Sequence, residues 1–240
     1  MHRNLVIVRA GDESLHLEWS KGGQRNFDLF VSYFGTVNER YRAASDYYES
    51  VRGLKWPRLA EIFAERRHEL SRYDAIWLPD DDLRADASMV SCMFDQFHEF
   101  NLLLAQPALG VGSQWSHHIT VVHPENRLRF TNFVEIMCPI FSQRALTVLT
   151  PSFGSSVSGW GLDFAWPHLL NYPQDRVAIL DETPVVHTRP VGSGGTYEQY
   201  RIGRINPALE AEEVMKKYGL VHRPEMQVYG SVPMGSRHRH

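Results

Sequence analysis

The sequence predicts an α/β fold that is Rossmann-like, with a mixed, mainly parallel central sheet flanked by helices. Two apolar runs, NLVIVRAG (4–11) and FDLFVSYFG (27–35), each end at a glycine, and a third, DAIWLP (74–79), ends at a proline. Runs of this length, rich in Val, Ile, Phe and Tyr and bounded by Gly or Pro, are typical of strands buried on both faces of a parallel sheet. The helical pattern between the second and third runs gives the strand, helix, strand order of α/β proteins.

Three helices are predicted from apolar spacing and from capping residues. Apolar residues recur at helical spacing over 56–71, which predicts an amphipathic helix there. Asp86 is placed to cap a second helix. Asn206 and Gly219 bracket a last helix as its cap and its C-terminal stop.

The remaining segments predict short strands and flexible breaks. Strands are predicted at HHITVVHP (117–124), RLRFTNFVEIMCPIF (127–141), RVAIL (176–180) and TPVVHT (183–188), the first two in antiparallel pairing. SFGSSVSGWGLDF (152–164) is predicted to be a Gly-rich and Ser-rich loop, and GSGG (192–195) a flexible break.

The composition indicates a globular protein that binds no nucleic acid. A chain of 240 residues, 43% of them hydrophobic, can build a sizeable core, and a net charge of -3 lacks the clustered Lys and Arg that nucleic acid requires. No apolar run is long enough for a transmembrane segment or a signal peptide, and Cys92 and Cys138 lie in apolar surroundings that suit a reducing compartment. We therefore expect a cytoplasmic protein with one domain over 1–233 and a disordered tail or cloning remnant over 234–240.

Three adjacent aspartates, Asp80, Asp81 and Asp82, follow the third apolar run. Carboxylates crowded in this way repel one another unless a cation lies among them. If the strand continues through 80–82, Asp80 and Asp82 point to one face, because side chains alternate along a strand. Two carboxylates on one face favour Mg²⁺ or Mn²⁺, ions that complete their shell with water and substrate phosphates. The alternative is an acidic turn that Arg84 partly neutralises.

Two further segments hold candidate site residues. In SGWGLDF, Gly159 and Gly161 permit close approach of the backbone to a ligand, Trp160 offers a flat face to a sugar, and Asp163 supplies a carboxylate that can act as a general base. The same pattern also fits a Gly-rich turn with a helix-capping aspartate. His187 follows a short apolar strand, where it fits either a core histidine or a ligand to Mn²⁺.

Five segments of the chain carry a resemblance to a known family. They are VRAGDESLH (8–16), DAIWLPDDDL (74–83), FTNFVEIMCPIF (130–141), GWGLDF (159–164) and ILDETPVVHTRPVG (179–192). With these segments in this order, the chain resembles a nucleotide-sugar-dependent glycosyltransferase of the GT-A fold. In closer detail it is similar to a family of bacterial and plant proteins known only as a domain of unknown function (DUF707-like). The resemblance implies a GT-A-like fold, a UDP-sugar as the donor, and a glycan or lipid-linked acceptor.

The resemblance also implies a metal site and a base. Asp82 falls on the aspartate that binds the metal ion, Mn²⁺ or Mg²⁺, and Asp80 falls on the one that lies near the nucleotide ribose and shares the metal site. His187 falls on the late histidine that completes this site. GWGLDF is similar to the Gly-Trp-Gly-acid stretch of inverting galactosyltransferases, which implies that Asp163 is the base. Several acids stand in succession in that family, whereas Asp163 stands alone before Phe164 here.

The nucleotide and the acceptor are given further candidate residues. The residues assigned to the nucleotide are Arg9, Gly11, Asp12, Lys55, Asp80 and Asp81, and those assigned to the sugar and acceptor are Trp160, Gly161, Trp115 and Glu135. A carboxylate in a segment as apolar as FVEIM is costly unless it is paired or used. We therefore expect Glu135 to contact the acceptor or an arginine such as Arg129 or Arg144.

These observations predict a metal-dependent glycosyltransferase that moves a sugar from a nucleotide-diphosphate donor to a hydroxyl acceptor. We expect inversion of the anomeric centre with Asp163 as general base, and the loop 152–161 as a lid over the donor. The alternative is a non-catalytic module that binds a nucleotide sugar or a glycan on the same scaffold, because fold alone does not guarantee activity. A two-metal phosphoesterase is disfavoured, because it needs more His and acidic ligands than this pattern places together.

Overall fold

A computed structural model describes residues 2–190 and 200–236, and a mixed β-sheet runs through this part of the chain. The strands are β1 (Asn4–Ala10), β2 (Phe27–Tyr33), β3 (Tyr47–Ser50), β4 (Ala75–Trp77), β5 (Leu83–Arg84), β6 (Leu104–Leu109), β7 (Asn126–Thr131), β8 (Ile140–Ser142), β9 (Val177–His187) and β10 (Val228–Pro233). Their order across the sheet is β10-β7-β9-β6-β8-β4-β1-β2-β3, and β5 pairs with β9 outside this path.

Most strands of the sheet run in one direction. β1 pairs in parallel with β2 and β4, β2 with β3, and β6 with β9. β8 runs antiparallel between β4 and β6, and β7 runs antiparallel between β9 and β10. Within the described residues, only β5, β7 and β8 therefore oppose the other strands, and the predicted mixed, mainly parallel sheet is confirmed.

Helices cover both faces of the sheet. They are α1 (Lys55–Glu65), α2 (Arg67–Leu70), α3 (Ala87–Glu99), α4 (Gln143–Leu149), α5 (Leu162–Leu169) and α6 (Pro207–Lys217). Side chains of β1 alternate between the two faces: Val6 and Val8 belong to the core cluster that contains the apolar side of α3, whereas Leu5 and Ile7 belong to the cluster that contains α1, α4 and α5. This burial on both faces explains the uninterrupted apolar run of β1.

The three predicted helices are confirmed. The helix predicted over 56–71 is present as α1 and α2, separated at Arg66, where the backbone leaves the helical region. Asp86 caps α3 by accepting a hydrogen bond from the Met89 amide. Asn206 caps α6 in the same way, and Gly219 follows that helix with a φ of 80°. None of the helices in the described ranges is both long and apolar enough to cross a membrane.

Three strand predictions differ from the structure. The segment 127–141, predicted to be a strand, forms β7 and β8 with no strand over 132–139. The segments RVAIL and TPVVHT form one continuous strand, β9, although the polar residues between them were read from the sequence as a break. Asp181 stays in the strand because it pairs with Arg129, and Glu182 because it pairs with Arg127. The segment 117–124, predicted to be a strand, instead contains a 3-10 turn at His118–Thr120.

The two segments predicted to be flexible have different outcomes. The predicted loop 152–164 is largely ordered: a 3-10 helix spans Thr150–Ser155, and α5 begins at Leu162. The predicted break 192–195 lies outside the described residues.

The tail that was predicted to be disordered over 234–240 begins with an ordered turn. The Met234 amide donates to the carbonyl oxygen of Glu125 at 2.8 Å, and the Ser236 amide donates to that of Pro233. Residues 237–240 lie outside the described residues. A single domain over 1–233 stays a prediction.

A buried ion pair fixes β9 against β7, and we expect its loss to destabilise the fold. Asp181 accepts two hydrogen bonds from Arg129, at 2.9 and 3.0 Å, and a third from the His123 amide, and its side chain is 0% exposed. The substitution Asp181→Asn leaves the buried guanidinium without its counter-charge, which we expect to lower the free energy of unfolding by about 3 kcal/mol in urea titrations.

The matched control is Asp175→Asn, which breaks the exposed pair with Arg176. Surface pairs of this kind contribute little, so a change under about 1 kcal/mol is expected. Equal effects from the two substitutions would show that the Arg129–Asp181 pair does not hold the two strands together.

Candidate functional site

The three aspartates lie in a turn after β4 rather than in a continued strand. β4 ends at Trp77, although the Leu78 and Asp80 amides still donate to the carbonyl oxygens of Pro139 and Met137, in the register of the β4–β8 pair. The strand does not continue through 80–82, yet the charges of Asp80 and Asp82 act on each other and both act on His187, as expected for the two members of one site. Each of Asp80, Asp81 and Asp82 has partners of its own from a different part of the chain.

Asp80 and Asp81 face cationic or donor groups. Lys55, the first residue of α1, places its Nζ 2.7 Å from Asp80 Oδ1. Asp81 Oδ2 accepts a hydrogen bond from the Gly11 amide at 2.7 Å, and Asp81 Oδ1 lies 2.9 Å from Arg189 Nη1. Asp81 thus connects the end of β1 with the segment after β9.

Asp82 meets His187 because β5 pairs with β9. The antiparallel register places Leu83 opposite His187, so the end of β9 lies beside the residue that precedes β5. Thr188 reinforces this contact by donating from its amide and its hydroxyl to the Asp82 carbonyl oxygen. His187 Nε2 then lies 3.3 Å from Asp82 Oδ2.

The proton on His187 Nδ1 follows from a second contact of this ring. His187 Nδ1 lies 2.8 Å from the carbonyl oxygen of Gln114, which can only accept, so Nδ1 carries a proton. Burial alone would lower the pKa of His187, but the hydrogen bond and the charge of Asp82 outweigh it and raise the pKa to about 9. Nε2 is the ring nitrogen that faces Asp82.

The geometry fits a divalent metal ion with few protein ligands. The second carboxylate oxygen of Asp82, Oδ1, is buried and has no hydrogen-bond partner among the described residues. His187 Nε2 is oriented in the way that metal-ligating histidines are, with the other ring nitrogen donating to a backbone carbonyl. Residues 2–190 and 200–236 contain no preformed group of three or more His, Cys, Asp or Glu ligands. Mg²⁺ and Mn²⁺ need no such cage, because water and substrate phosphates complete their shell.

Asp163 lies in the first turn of α5, where two glycines shape the approach. Gly159 and Gly161 have φ values of 84° and 90°, which other residues rarely adopt. A Cβ on Gly161 would also lie 2.8 Å from the carbonyl oxygen of Ala211 in α6. Burial raises the pKa of Asp163 to about 7, although the Phe164 amide and Arg223 act in the opposite direction. A carboxylate with this pKa suits a general base at neutral pH.

Glu135 is a second buried carboxyl group at the same place. Its Oε2 atom is buried without a hydrogen-bond partner among the described residues. Burial raises its pKa to about 8, and the charge of Asp163 adds to this. Arg129 was one expected partner, but its guanidinium is bound to Asp181 and to two backbone carbonyls. Glu135 is therefore electrostatically connected to the candidate site rather than to Arg129.

Two residues predicted to hold the nucleotide have structural contacts. The Arg9 guanidinium is buried and donates to Ser32 and to the carbonyl oxygens of Val51 and Gly53. Asp12 accepts hydrogen bonds from Tyr33 and Thr36 and so holds the loop after β2. Both residues shape the segments around the site, and their contact with a nucleotide stays a prediction.

The segment 152–161, predicted to be a lid, is held by hydrogen bonds, and the two tryptophans predicted to contact a sugar are exposed. The backbone amides of Val157 and Ser158 donate to Glu210 of α6, so the segment predicted as a lid is tied down in this structure. Trp115 and Trp160 are exposed, at 51% and 37%, as expected for side chains that could stack on a sugar. Their roles stay predictions.

Sequence reasoning missed two arginines near the site. Arg189 contacts Asp81 and also donates to the Glu13 carbonyl oxygen, and its place two residues after His187 was the available signal. Arg223 lies over the ring of Phe164, with 4.5 Å between the guanidinium carbon and the ring centroid. The sequence around Arg223 contains no signal for this contact, because it joins segments that are distant along the chain.

A cavity of about 420 Å³ lies away from these groups. Its lining includes Arg84 and Val186, the neighbours of Leu83 and His187 along their strands. Because side chains alternate along a strand, this cavity lies on the side of the β5–β9 pair that faces away from His187. The titratable groups described above therefore define the candidate site, and the cavity does not.

Comparisons with known proteins bear on the fold. No protein-family model and no curated protein matches the chain. The chain is similar to the crystal structure of S. aureus TarS 1-349 in complex with UDP-GlcNAc, with a TM-score of 0.53 and 12% identity over 90% of this chain and 67% of that one. It also matches the structure of S. aureus TarS with a TM-score of 0.47 and 11% identity, over 90% of this chain and 42% of that one. This chain thus spans less than half of the longer TarS structure.

The likeness shows the fold and nothing finer. The mixed sheet with flanking helices matches the architecture of TarS 1-349. The identity is too low to assign an activity, because one fold supports many functions. The chain therefore has the predicted mixed α/β fold, which it shares with TarS 1-349.

Proposed function

We propose that this chain is a metal-dependent glycosyltransferase that moves a sugar from a UDP-sugar to a hydroxyl acceptor with inversion. The observation that carries the proposal is the meeting of Asp82 and His187 at the carboxyl edge of the sheet, with Asp163 buried at the same site. The fold likeness to TarS 1-349 in complex with UDP-GlcNAc supports a UDP-sugar as the donor.

Asp82 and His187 are the residues that would hold Mn²⁺ or Mg²⁺, with Asp80 beside them. Such an ion supplies positive charge where negative charge develops on the leaving diphosphate. Lys55 and Arg189 already bring cationic groups to the neighbouring carboxylates. A diphosphate bound at this edge therefore meets both side-chain charge and metal charge.

Asp163 removes the proton from the acceptor hydroxyl as the new bond forms. The acceptor oxygen bonds to the anomeric carbon on the face opposite the diphosphate. The bond between that carbon and the diphosphate oxygen breaks, and its electron pair leaves with the nucleoside diphosphate. Because the pKa of Asp163 is about 7, a large fraction of the carboxyl group is ionised at neutral pH and can accept the proton.

A second candidate function is a non-catalytic module that binds a nucleotide sugar or a glycan. The observation that favours it is that Lys55, Arg189 and His187 already contact the three aspartates. An acidic turn neutralised in this way can exist without a metal ion. The two functions differ in whether nucleotide binding requires a divalent ion and Asp82.

Nucleotide binding is expected to depend on both the metal ion and Asp82. In a thermal-shift panel of UDP, GDP, CDP and CMP with Mn²⁺, Mg²⁺ or EDTA, we expect UDP with a divalent ion to raise the Tm. A ligand at 100 times its Kd stabilises the folded state by about 2.7 kcal/mol. The shift should vanish with EDTA and in Asp82→Asn, and it should persist in the exposed control Asp175→Asn. A nucleotide-induced rise in Tm that persists in EDTA would favour the non-catalytic binding module.

Sugar transfer is expected to require an ionised Asp163. The substitution Asp163→Asn should lower the rate of UDP release in the presence of acceptor by about 100-fold or more, while the metal-linked UDP shift remains. In the wild type, the rate should rise with pH and level off above pH 7, since only the ionised carboxylate accepts a proton. Full turnover by Asp163→Asn would exclude Asp163 as the base.

Glu135 is expected to lower the stability of the fold at alkaline pH. Its pKa of about 8 in the folded chain exceeds its ordinary value, so between pH 4.5 and 8 the folded state keeps a proton that the unfolded state loses. The contribution of Glu135 to the free energy of unfolding therefore falls as the pH rises from 4.5 to 8. Besides Asp163, the groups that act on Glu135 are His187, Asp80 and Lys55.

The substitution Glu135→Gln removes this titration and should raise the free energy of unfolding at pH 9 by on the order of 3 kcal/mol, with little change at pH 4. Urea titrations at both pH values measure the difference. A gain of equal size at the two pH values would mean that ionisation of Glu135 is not its cause.

A further inference from the structure

A cationic side chain lies near Asp163 without an ion-pair partner among the residues that the structure describes. Arg223 belongs to the exposed segment between α6 and β10, and its guanidinium carbon lies 4.5 Å from the ring centroid of Phe164. Phe164 directly follows Asp163 in α5. The position of Arg223 next to the proposed base is therefore set by stacking on an aromatic ring.

The ring beneath this guanidinium is supported by two further rings. The Phe164 ring packs on Phe133 with 5.2 Å between their centroids, and Phe133 packs on His117 at 4.7 Å. We call Phe164, Phe133 and His117 the aromatic stack. Phe133 is fully buried and Phe164 is 4% exposed, so the surface beneath Arg223 is rigid.

The hydrogen-bond donors of Arg223 are not used within the described residues. No carboxylate of residues 2–190 or 200–236 lies within 4.0 Å of its guanidinium nitrogens, and no hydrogen bond joins them to these residues. Burial lowers the pKa of His117 to about 4, with Arg223 adding to the effect, so this neighbour is neutral. A guanidinium held by its face keeps its planar fork of N–H groups free for a ligand.

The aromatic stack is joined to the proposed donor site by a short segment. Gln114 accepts a hydrogen bond from His187 Nδ1, and three residues later His117 belongs to the aromatic stack. Trp115, exposed, lies on this segment. The segment 114–117 therefore leads from His187 to the aromatic stack on which Arg223 lies.

We propose that the acceptor carries an oxyanion, a phosphate or a carboxylate, close to its accepting hydroxyl, and that Arg223 binds it. This inference rests on the proposed function and names the chemical class of its acceptor. The guanidinium fork matches the paired oxygens of a phosphate or carboxylate, whereas a neutral sugar needs no fixed cation. The ionised carboxylate of Asp163 would repel an anion at this place, and the charge of Arg223 offsets that repulsion.

The test compares three simple probes on the protein saturated with UDP and Mn²⁺. Isothermal titration calorimetry measures the affinity for methyl glucoside, glucose 6-phosphate and glucuronate. We expect at least one anionic probe to bind about tenfold more tightly than the neutral one, the size of effect that a charge-assisted hydrogen bond gives. The stronger of the two anions identifies the group as phosphate or carboxylate.

Variants of Arg223 assign the preference to this side chain. Arg223→Gln should lose the preference for the anion, and Arg223→Lys should retain part of it, because Lys keeps the charge but not the fork. The matched control Arg72→Gln changes an exposed arginine at the opposite edge of the sheet, three residues before β4, and should keep the full preference. Thermal melts followed by circular dichroism check that each variant is folded.

Three outcomes overturn the inference: equal affinity for all three probes, no binding of any probe, or an anion preference that survives in Arg223→Gln. Failure of the proposed function gives a different result, because the wild type would then show no metal-dependent rise in Tm with UDP. That result would also overturn the inference about Arg223. A UDP shift without an anion preference overturns the assignment of Arg223 alone.

Discussion

The candidate site depends on how the carboxylate of Asp81 is held. This side chain accepts from the Gly11 amide at the end of β1 and from Arg189 just beyond β9, so it joins three segments that are far apart in the chain. The two flanking aspartates are then fixed with it, one toward Lys55 and the other toward His187. Burial raises the pKa of Asp81, and the amide and the guanidinium counteract that rise. Charge balance at the carboxyl edge of the sheet therefore sets the geometry of the site.

The hydrogen bonds and ion pairs of the aspartates distinguish a residue that is fully paired from one that can accept a ligand. Asp81 has a donor for each carboxylate oxygen and serves as the anchor. Asp82 keeps one buried oxygen without a partner among the described residues, and His187 directs Nε2 toward the other oxygen of the same carboxylate. An unpaired buried oxygen costs stability, and such groups persist where a ligand completes them. The asymmetry between the two neighbours points to Asp82 as the ligand-binding member.

Local patterns in the sequence predicted what local forces decide. The apolar run of β1 and the cap at Asp86 depend on burial and on neighbouring amides, and both are present. β9 could not be predicted as one strand, because Asp181 is stable there only through an arginine of another strand. The contact of Arg223 with the aromatic stack could not be predicted either, because no local sequence pattern indicates a contact between these distant segments. The misses are thus contacts between distant segments, where the pairing of charges or rings overrides local propensity.

Two buried carboxyl groups of the candidate site act on each other. Burial is the main reason that the pKa of Asp163 rises to about 7 and that of Glu135 to about 8, and the two rises are similar because the ordinary pKa of Glu is the higher one. The Phe164 amide and Arg223 favour the charge of Asp163, whereas the charges of Asp163 and Asp80 disfavour that of Glu135. Ionisation of one group therefore opposes ionisation of the other, and the two titrate as a pair. A pair that holds one proton provides a proton acceptor and a hydrogen-bond donor within one site.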